Sequence, residues 1–144
     1  MSVSLAFEPN HRVLRVRFSG RMSQEGLHNL DASVVAFVKK EGPTRGFVID
    51  CSAVDDFDVP TGEFVRRGQR KSVVSDQQRV YVMPRDDMYG LGRMFGTYQR
   101  IAGKREPLVV KTIGEAYSEL SLTDPVFEEI SCDAESGEPG AGQV

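Results

Sequence analysis

The chain has 144 residues, 40% of them hydrophobic and 27% charged, which is typical of a single soluble globular domain. Two cysteines without metal-type spacing and two scattered histidines do not make up the ligand set of a zinc site, and no apolar run approaches the roughly 20 residues of a membrane span. Residues 1–122 hold all 18 Lys and Arg but only 15 of the 21 Asp and Glu, a slightly basic body that lacks the concentrated basic face of a nucleic-acid-binding protein.

The N-terminal residues, MSVSLAFEPNHR, lack the basic and apolar regions of a secretory signal, so we expect a cytoplasmic protein with reduced thiols. Residues 3–8 and 13–18 predict two strands, the second with apolar side chains that alternate with Arg15 and Arg17. The turn residues EPNH lie between them. This pattern predicts an antiparallel hairpin.

Residues 23–40 predict a helix with Ser23 as its N-cap. Its apolar side chains recur at helical spacing and form one stripe: Leu27, Leu30, Val34, Phe37 and Val38. Gly42 and Pro43 end the helix.

A short continuous apolar run at residues 46–51, GFVIDC, predicts a central strand buried on both faces. Further along the chain we predict a more polar helix, a strand, a last strand and a last helix, at residues 61–71, 79–83, 107–111 and 112–120. Thr112 and Glu115 have capping-box spacing at the start of the last helix.

A Gly-rich helix is predicted after residues 79–83, with Asp86 or Asp87 as its cap. It contains Gly90, Gly92 and Gly96, each of which costs about 1 kcal/mol relative to alanine. We therefore expect this helix to approach the sheet or a ligand closely.

The predicted order is β-β-α-β-α-β-α-β-α, a single α/β domain over residues 1–122 with a mixed sheet and helices mainly on one face. Residues 123–144 are acidic and end in a Gly- and Pro-rich stretch with little to bury, so we predict a disordered tail. The open alternative is a tail that folds back onto the basic body or binds a partner.

The stretch VIDCSAVDDFDVPTGE, residues 48–63, contains four aspartates that could indicate chemistry. An EF-hand loop starting at Asp56 would need glycine where Thr61 stands and glutamate where Arg67 stands. A phosphoryl-transfer pair would need its acids directly at the strand end, and a receiver domain would need an acidic pair after its first strand, where this chain has FSGRM. None of the three patterns fits, and we expect neither a metal, nor a cofactor, nor catalysis.

The segment FVIDCSAVDDFDVPTG resembles the strand-loop-helix signature of STAS domains, the anti-sigma-factor-antagonist fold. In that family an apolar strand ends in Asp, as at Asp50, and a loop leads into a second Asp, as at Asp58. The resemblance covers about residues 5–122. The segments MYGLGRMF and EAYSEL are most similar to the SpoIIAA-like branch of bacterial STAS-like proteins, related in fold to CRAL-TRIO lipid-binding domains.

The resemblance implies a phosphorylatable serine at the position that Val59 occupies here. Valine has no hydroxyl, so a phosphorylation switch cannot run at that position. Thr61 is the nearby alternative acceptor. We expect Asp55 and Asp56 to lie in a solvated loop, and Asp58 and Thr61 to satisfy free N–H groups at the start of the following helix.

We therefore predict a non-catalytic bacterial regulatory or protein-interaction module, with a protein partner and with a homodimer as an open alternative. Its candidate partner surface is the loop 52–61 with the following helix, and includes Asp55, Asp56, Asp58, Val59, Thr61, Arg66, Arg67 and Arg70. The competing hypothesis is a small-molecule or lipid carrier with a pocket beside the Gly-rich helix, lined by Tyr89, Arg93 and Tyr98.

Overall fold

The computed structural model describes residues 2–70 and 77–130, which form a mixed sheet and four helices. The strands are β1 (Ser2–Glu8), β2 (Val13–Ser23), β3 (Gly46–Asp58), β4 (Gln78–Val82), β5 (Leu108–Val110) and β6 (Glu128–Ile130). The helices are α1 (Gln24–Glu41), α2 (Thr61–Gln69), α3 (Asp86–Ile101) and α4 (Ile113–Glu119). The α/β class is confirmed, and the predicted order of elements is found with β6 added.

The strand order across the sheet is β5-β4-β3-β2-β1-β6. Strands β2, β3, β4 and β5 run parallel, while β1 is antiparallel to β2 and to β6. The predicted hairpin is therefore present, and each parallel connection passes through a helix.

The helices lie on both faces of the sheet, three against one. The larger core contains side chains of α1, α2 and α3 packed on one face, among them Leu30, Phe64 and Phe95. Side chains of α4 cover the other face, where Ala116 packs with Val48 and other strand valines. Successive residues of a strand point to opposite faces, so the apolar residues 47–49 of β3 contribute to both cores.

Helix α1 begins and ends as its sequence predicts, to within one residue. The Ser23 side chain accepts a hydrogen bond from the Gly26 N–H at 3.2 Å. At the other end the N–H of Gly42 donates to the Val38 carbonyl, with Gly42 at φ 86, a left-handed conformation that glycine adopts without strain.

Residues 52–58 are strand and not loop, which corrects the prediction for this segment. Strand β3 continues to Asp58 and pairs with an extension of β2, from Ser19 opposite Ala53 to Ser23 opposite Asp58. The pairing shifts register twice, so the inward side chains of Val54 and Phe57 are three residues apart and the period-two pattern is lost. We call this paired extension, residues 19–23 with 52–58, the ribbon.

The cap predictions hold at two helices, α1 and α4, and fail at the other two, α2 and α3. Thr112 accepts from the Glu115 N–H at 3.1 Å at the start of α4, as predicted. Within the described residues, α2 and α3 have no side-chain cap bond. Asp58 does not cap α2. Its carboxylate accepts a hydrogen bond from Arg21 at 2.6 Å, because Asp58 is the last residue of β3 and lies on the ribbon, while Pro60 is the N-cap residue of α2. Asp86 and Asp87 lie inside the first turn of α3, where they pair with Lys111 and Arg85.

The glycines of α3 have different environments. A Cβ at Gly92 would lie 2.5 Å from the Met83 sulfur and 3.3 Å from both Val109 methyl groups, so the helix does approach the sheet closely there. A Cβ at Gly90 would meet nothing within 4 Å. Packing explains Gly92 and does not explain Gly90.

Part of the predicted tail is ordered. Strand β6 pairs with β1 from Leu5 opposite Ile130 to Phe7 opposite Glu128. Composition could not reveal this strand, because a backbone ladder stabilises it more than buried side chains do. Residues 131–144, with Cys132, lie outside the described residues, as does Lys71 at the predicted end of the second helix.

Candidate functional site

The ribbon carries three exposed carboxylates, Asp55, Asp56 and Asp58. Arg21 on the neighbouring strand lies 3.4 Å from Asp56 and 2.6 Å from Asp58. Arg85, which precedes α3, donates to the Asp55 carbonyl at 2.7 Å. The predicted contact segment is therefore a pair of hydrogen-bonded strands with three exposed carboxylates, two of which pair with Arg21.

Asp50 belongs to the sheet and not to this surface. It is 2% exposed and accepts hydrogen bonds from Arg17 Nε at 3.0 Å and from the N–H and hydroxyl of Ser52 at 3.0 and 2.5 Å. A buried carboxylate with charged and neutral donors is satisfied where it stands. Asp50 stabilises the sheet at the point where the ribbon begins.

The residues predicted on α2 divide between surface and interior. Thr61, Arg66 and Arg70 are exposed, and Glu63 lies beside both arginines. Val59, which precedes the helix, is half-buried and packs against the larger core. The exposed surface therefore contains fewer residues than the predicted surface.

Arg67 points inwards. Its two terminal nitrogens donate to the two carboxylate oxygens of Asp31 on α1, at 2.9 and 2.5 Å, and its side chain is only 11% exposed. Arg67 follows Phe64 by three residues and so shares its buried helix face, a spacing that predicts the inward direction. Asp31 was not predicted to be the partner of Arg67, although it follows the apolar Leu27 by four residues and therefore lies on the same side of α1.

The three residues of the predicted pocket have different surroundings. The Tyr89 ring lies 5.1 Å from the ammonium of Lys111, and Arg93 is exposed. Tyr98 packs beside Gly68 of α2. None of the three lines the cavity that the structure forms nearby.

That cavity lies between the sheet and helices α1, α2 and α3 and has a volume of about 40 Å³. We call it the α2 cavity. Phe64 and Phe95, whose rings lie 5.4 Å apart, belong to its wall. The full lining is Phe18, Met22, Leu27, Leu30, Ile49, Cys51, Phe57, Phe64, Arg67, Tyr81, Met83 and Phe95.

The two titratable groups of this lining other than Arg67 are both neutral at physiological pH. Burial raises the pKa of the Cys51 thiol, and the nearby Asp50 carboxylate raises it further. Burial also raises the pKa of the Tyr81 phenol, against the opposing effect of Arg79 and Arg67. A protonated thiol is a poor nucleophile, so Cys51 is suited to packing.

Within residues 2–70 and 77–130, no group of three or more His, Cys, Asp or Glu side chains is arranged to hold a metal ion. No helix in the same ranges is long and apolar enough to cross a membrane.

No family model matches the chain, and no curated protein matches it. The resemblance to STAS domains therefore stays a prediction from the sequence.

Proposed function

We propose that this protein is a non-catalytic regulatory or protein-interaction module of the bacterial STAS-like type, which binds a protein partner through the ribbon and the exposed face of α2. The supporting observation is the ribbon itself. Its three carboxylates lie on paired strands; Arg21 pairs with Asp56 and Asp58, and Arg85 donates to the backbone carbonyl of Asp55. A surface that is already ordered loses less conformational entropy when it binds.

The surface has two parts of opposite charge. The ribbon contributes Asp55, Asp56 and Asp58, and α2 contributes Arg66 and Arg70. Val59 stands at the position of the family's phosphoserine, so partner binding has to work without a switch there. The proposed contact is constitutive or is controlled elsewhere.

Charge reversal on α2 tests the proposal. The tagged chain and the variant Arg66→Glu/Arg70→Glu are used to capture proteins from an extract of the native host, and the captured proteins are quantified by mass spectrometry. Both side chains are more than half exposed, so the fold is expected to survive the change. We expect at least one protein to be captured by the natural chain and lost by the variant.

The matched control is Arg93→Glu/Arg100→Glu, which reverses two exposed arginines of α3. It should capture the same proteins as the natural chain. If the α2 variant also captures the same set in the same amounts, with an unchanged circular dichroism spectrum, the proposed surface is wrong.

A small-molecule carrier is the second candidate, and the α2 cavity is the observation that favours it. A cavity of about 40 Å³ is well below the roughly 150 Å³ that holds benzene in an engineered core, so it has no room for a lipid acyl chain. Native mass spectrometry of freshly purified protein tests this candidate. If the protein is a carrier, its spectrum should show the mass of the chain with a small molecule bound. If only the mass of the chain alone is found, the result argues against a carrier function.

A further inference from the structure

The lining of the α2 cavity indicates what kind of molecule it accepts. Its walls are the apolar parts of side chains from three strands and three helices. The one charged side chain in the wall, Arg67, is already bound through both terminal nitrogens to Asp31. A charged ligand would lose its hydration without gaining a counter-charge, which is costly. The cavity therefore favours an uncharged ligand.

The volume limits the size of that ligand. About 40 Å³ exceeds the 10–15 Å³ that one water molecule needs, but a water also needs two to four polar partners, and this lining is almost wholly apolar. Such a cavity holds water poorly, and its lining side chains lack packing contacts on the cavity side. Its occupant is a compact molecule that restores them.

The lining is also adaptable. Met22 and Met83 form part of the wall, and methionine side chains re-pack at low cost because they are unbranched. Phe57, Phe64, Phe95 and Tyr81 form a continuous series of ring contacts with centroids 5.4 to 5.8 Å apart. A flat ring can pack against such a wall once the methionines move.

We propose that the α2 cavity is a binding site for a compact, uncharged, apolar molecule, with a single aromatic ring, which needs Met22 and Met83 to re-pack, as its upper size limit. The proposal rests on the second candidate function and names its ligand class and its site. It is independent of the partner surface on the ribbon and α2.

The test measures the melting temperature (Tm) of the full chain with three probes: xenon, benzene and benzoate. Xenon and benzene should each raise Tm, by about 5 °C at ten times the dissociation constant. Benzoate has the same ring with a charge and should leave Tm unchanged.

Two variants locate the bound probe. Cys51→Leu adds bulk on the cavity side of β3 and should abolish the Tm increase with xenon and benzene. Val80→Leu adds bulk to the smaller core on the opposite face of the sheet, so it should lower Tm but keep the increase. If Cys51→Leu does not fold, Ile49→Phe fills the same cavity from the same strand.

The proposal is overturned if neither xenon nor benzene raises Tm, if benzoate raises it equally, or if the increase survives in the filled variant. These results are separable from the carrier test. A native ligand whose mass persists in Cys51→Leu would leave the carrier function standing and place its site elsewhere. A probe effect that depends on Cys51, without a native ligand, would support the site and count against carriage.

Discussion

Two neighbouring arginines on α2 show how the position of a residue on a helix decides whether its charge is exposed or forms a nearly buried ion pair. Arg66 is exposed and pairs with Glu63 three residues earlier. Arg67 is turned by about 100° and reaches Asp31, in a pair whose side chains are 11% and 12% exposed. Exposed ion pairs contribute little to stability, whereas a buried charge that loses its partner is costly. Arg67 therefore holds α2 to α1, and Arg66 is available for contact with another molecule.

Alanine substitution separates the two roles. Arg67→Ala should lower the free energy of unfolding by about 3 kcal/mol, because it leaves Asp31 nearly buried without its bidentate partner. Arg66→Ala should change it by less than about 1 kcal/mol. Urea denaturation at pH 7 measures both. Equal effects would mean that the Asp31–Arg67 pair does not hold the helices together.

The packing of α2 against α3 depends on close backbone contact and on a buried polar chain. A Cβ at Gly68 would lie 2.9 Å from the Tyr98 Cβ, so the two helices meet without a side chain between them. Gln99 of α3 donates to the Gly68 carbonyl and accepts from Arg79 of β4 at 3.0 Å. Arg79 also donates to the Arg105 carbonyl at 2.5 Å. These bonds tie the end of α2 to α3 and the sheet.

Glycine substitutions test this contact. Gly68→Ala should lower the free energy of unfolding by about 1–3 kcal/mol, because the obstructing atom is attached to the backbone and cannot rotate away. Gly90→Ala, in open space on α3, should raise it by up to about 1 kcal/mol through helix propensity. Thermal and urea unfolding give both values. A stabilising Gly68→Ala would show that the helices can separate at little cost.

In the molecule as a whole, the residues after α4 add a strand to one edge of the sheet. Arg15 of β2 lies over the Phe127 ring at 4.5 Å, donates to the Tyr117 hydroxyl at 2.9 Å and lies 3.6 Å from Glu129. The rings of Tyr117 and Phe127 stack 5.6 Å apart. This cluster joins β2, α4 and β6, so residues 123–130 belong to the folded domain. Of the segment after Leu122, residues 128–130 pair with β1.

Truncation tests this boundary. Residues 1–122, the domain predicted from sequence, should be less stable than residues 1–130 by about 2–4 kcal/mol, because the β6 ladder and the contacts of Arg15 are lost. Denaturant unfolding of the two chains isolates the contribution of residues 123–130. Phe127→Ala in the longer chain is the matched point variant and should lose part of the same stability. If the two chains have the same midpoint of denaturant unfolding, residues 123–130 add no stability and the folded domain ends at Leu122.

The class of the fold, the order of its first nine elements and the caps at Ser23 and Thr112 could all be predicted from the sequence, because hydrophobic period and capping chemistry are local. Three features required the tertiary structure. The ribbon forms because the extension of β2 pairs with residues 52–58. The register shifts in this pairing remove the alternation of apolar and polar residues that would have predicted a strand. Strand β6 exists because β1 offers an open edge. The α2 cavity beside Arg67 depends on where α1 and α2 meet over the sheet, a distance that no local pattern encodes.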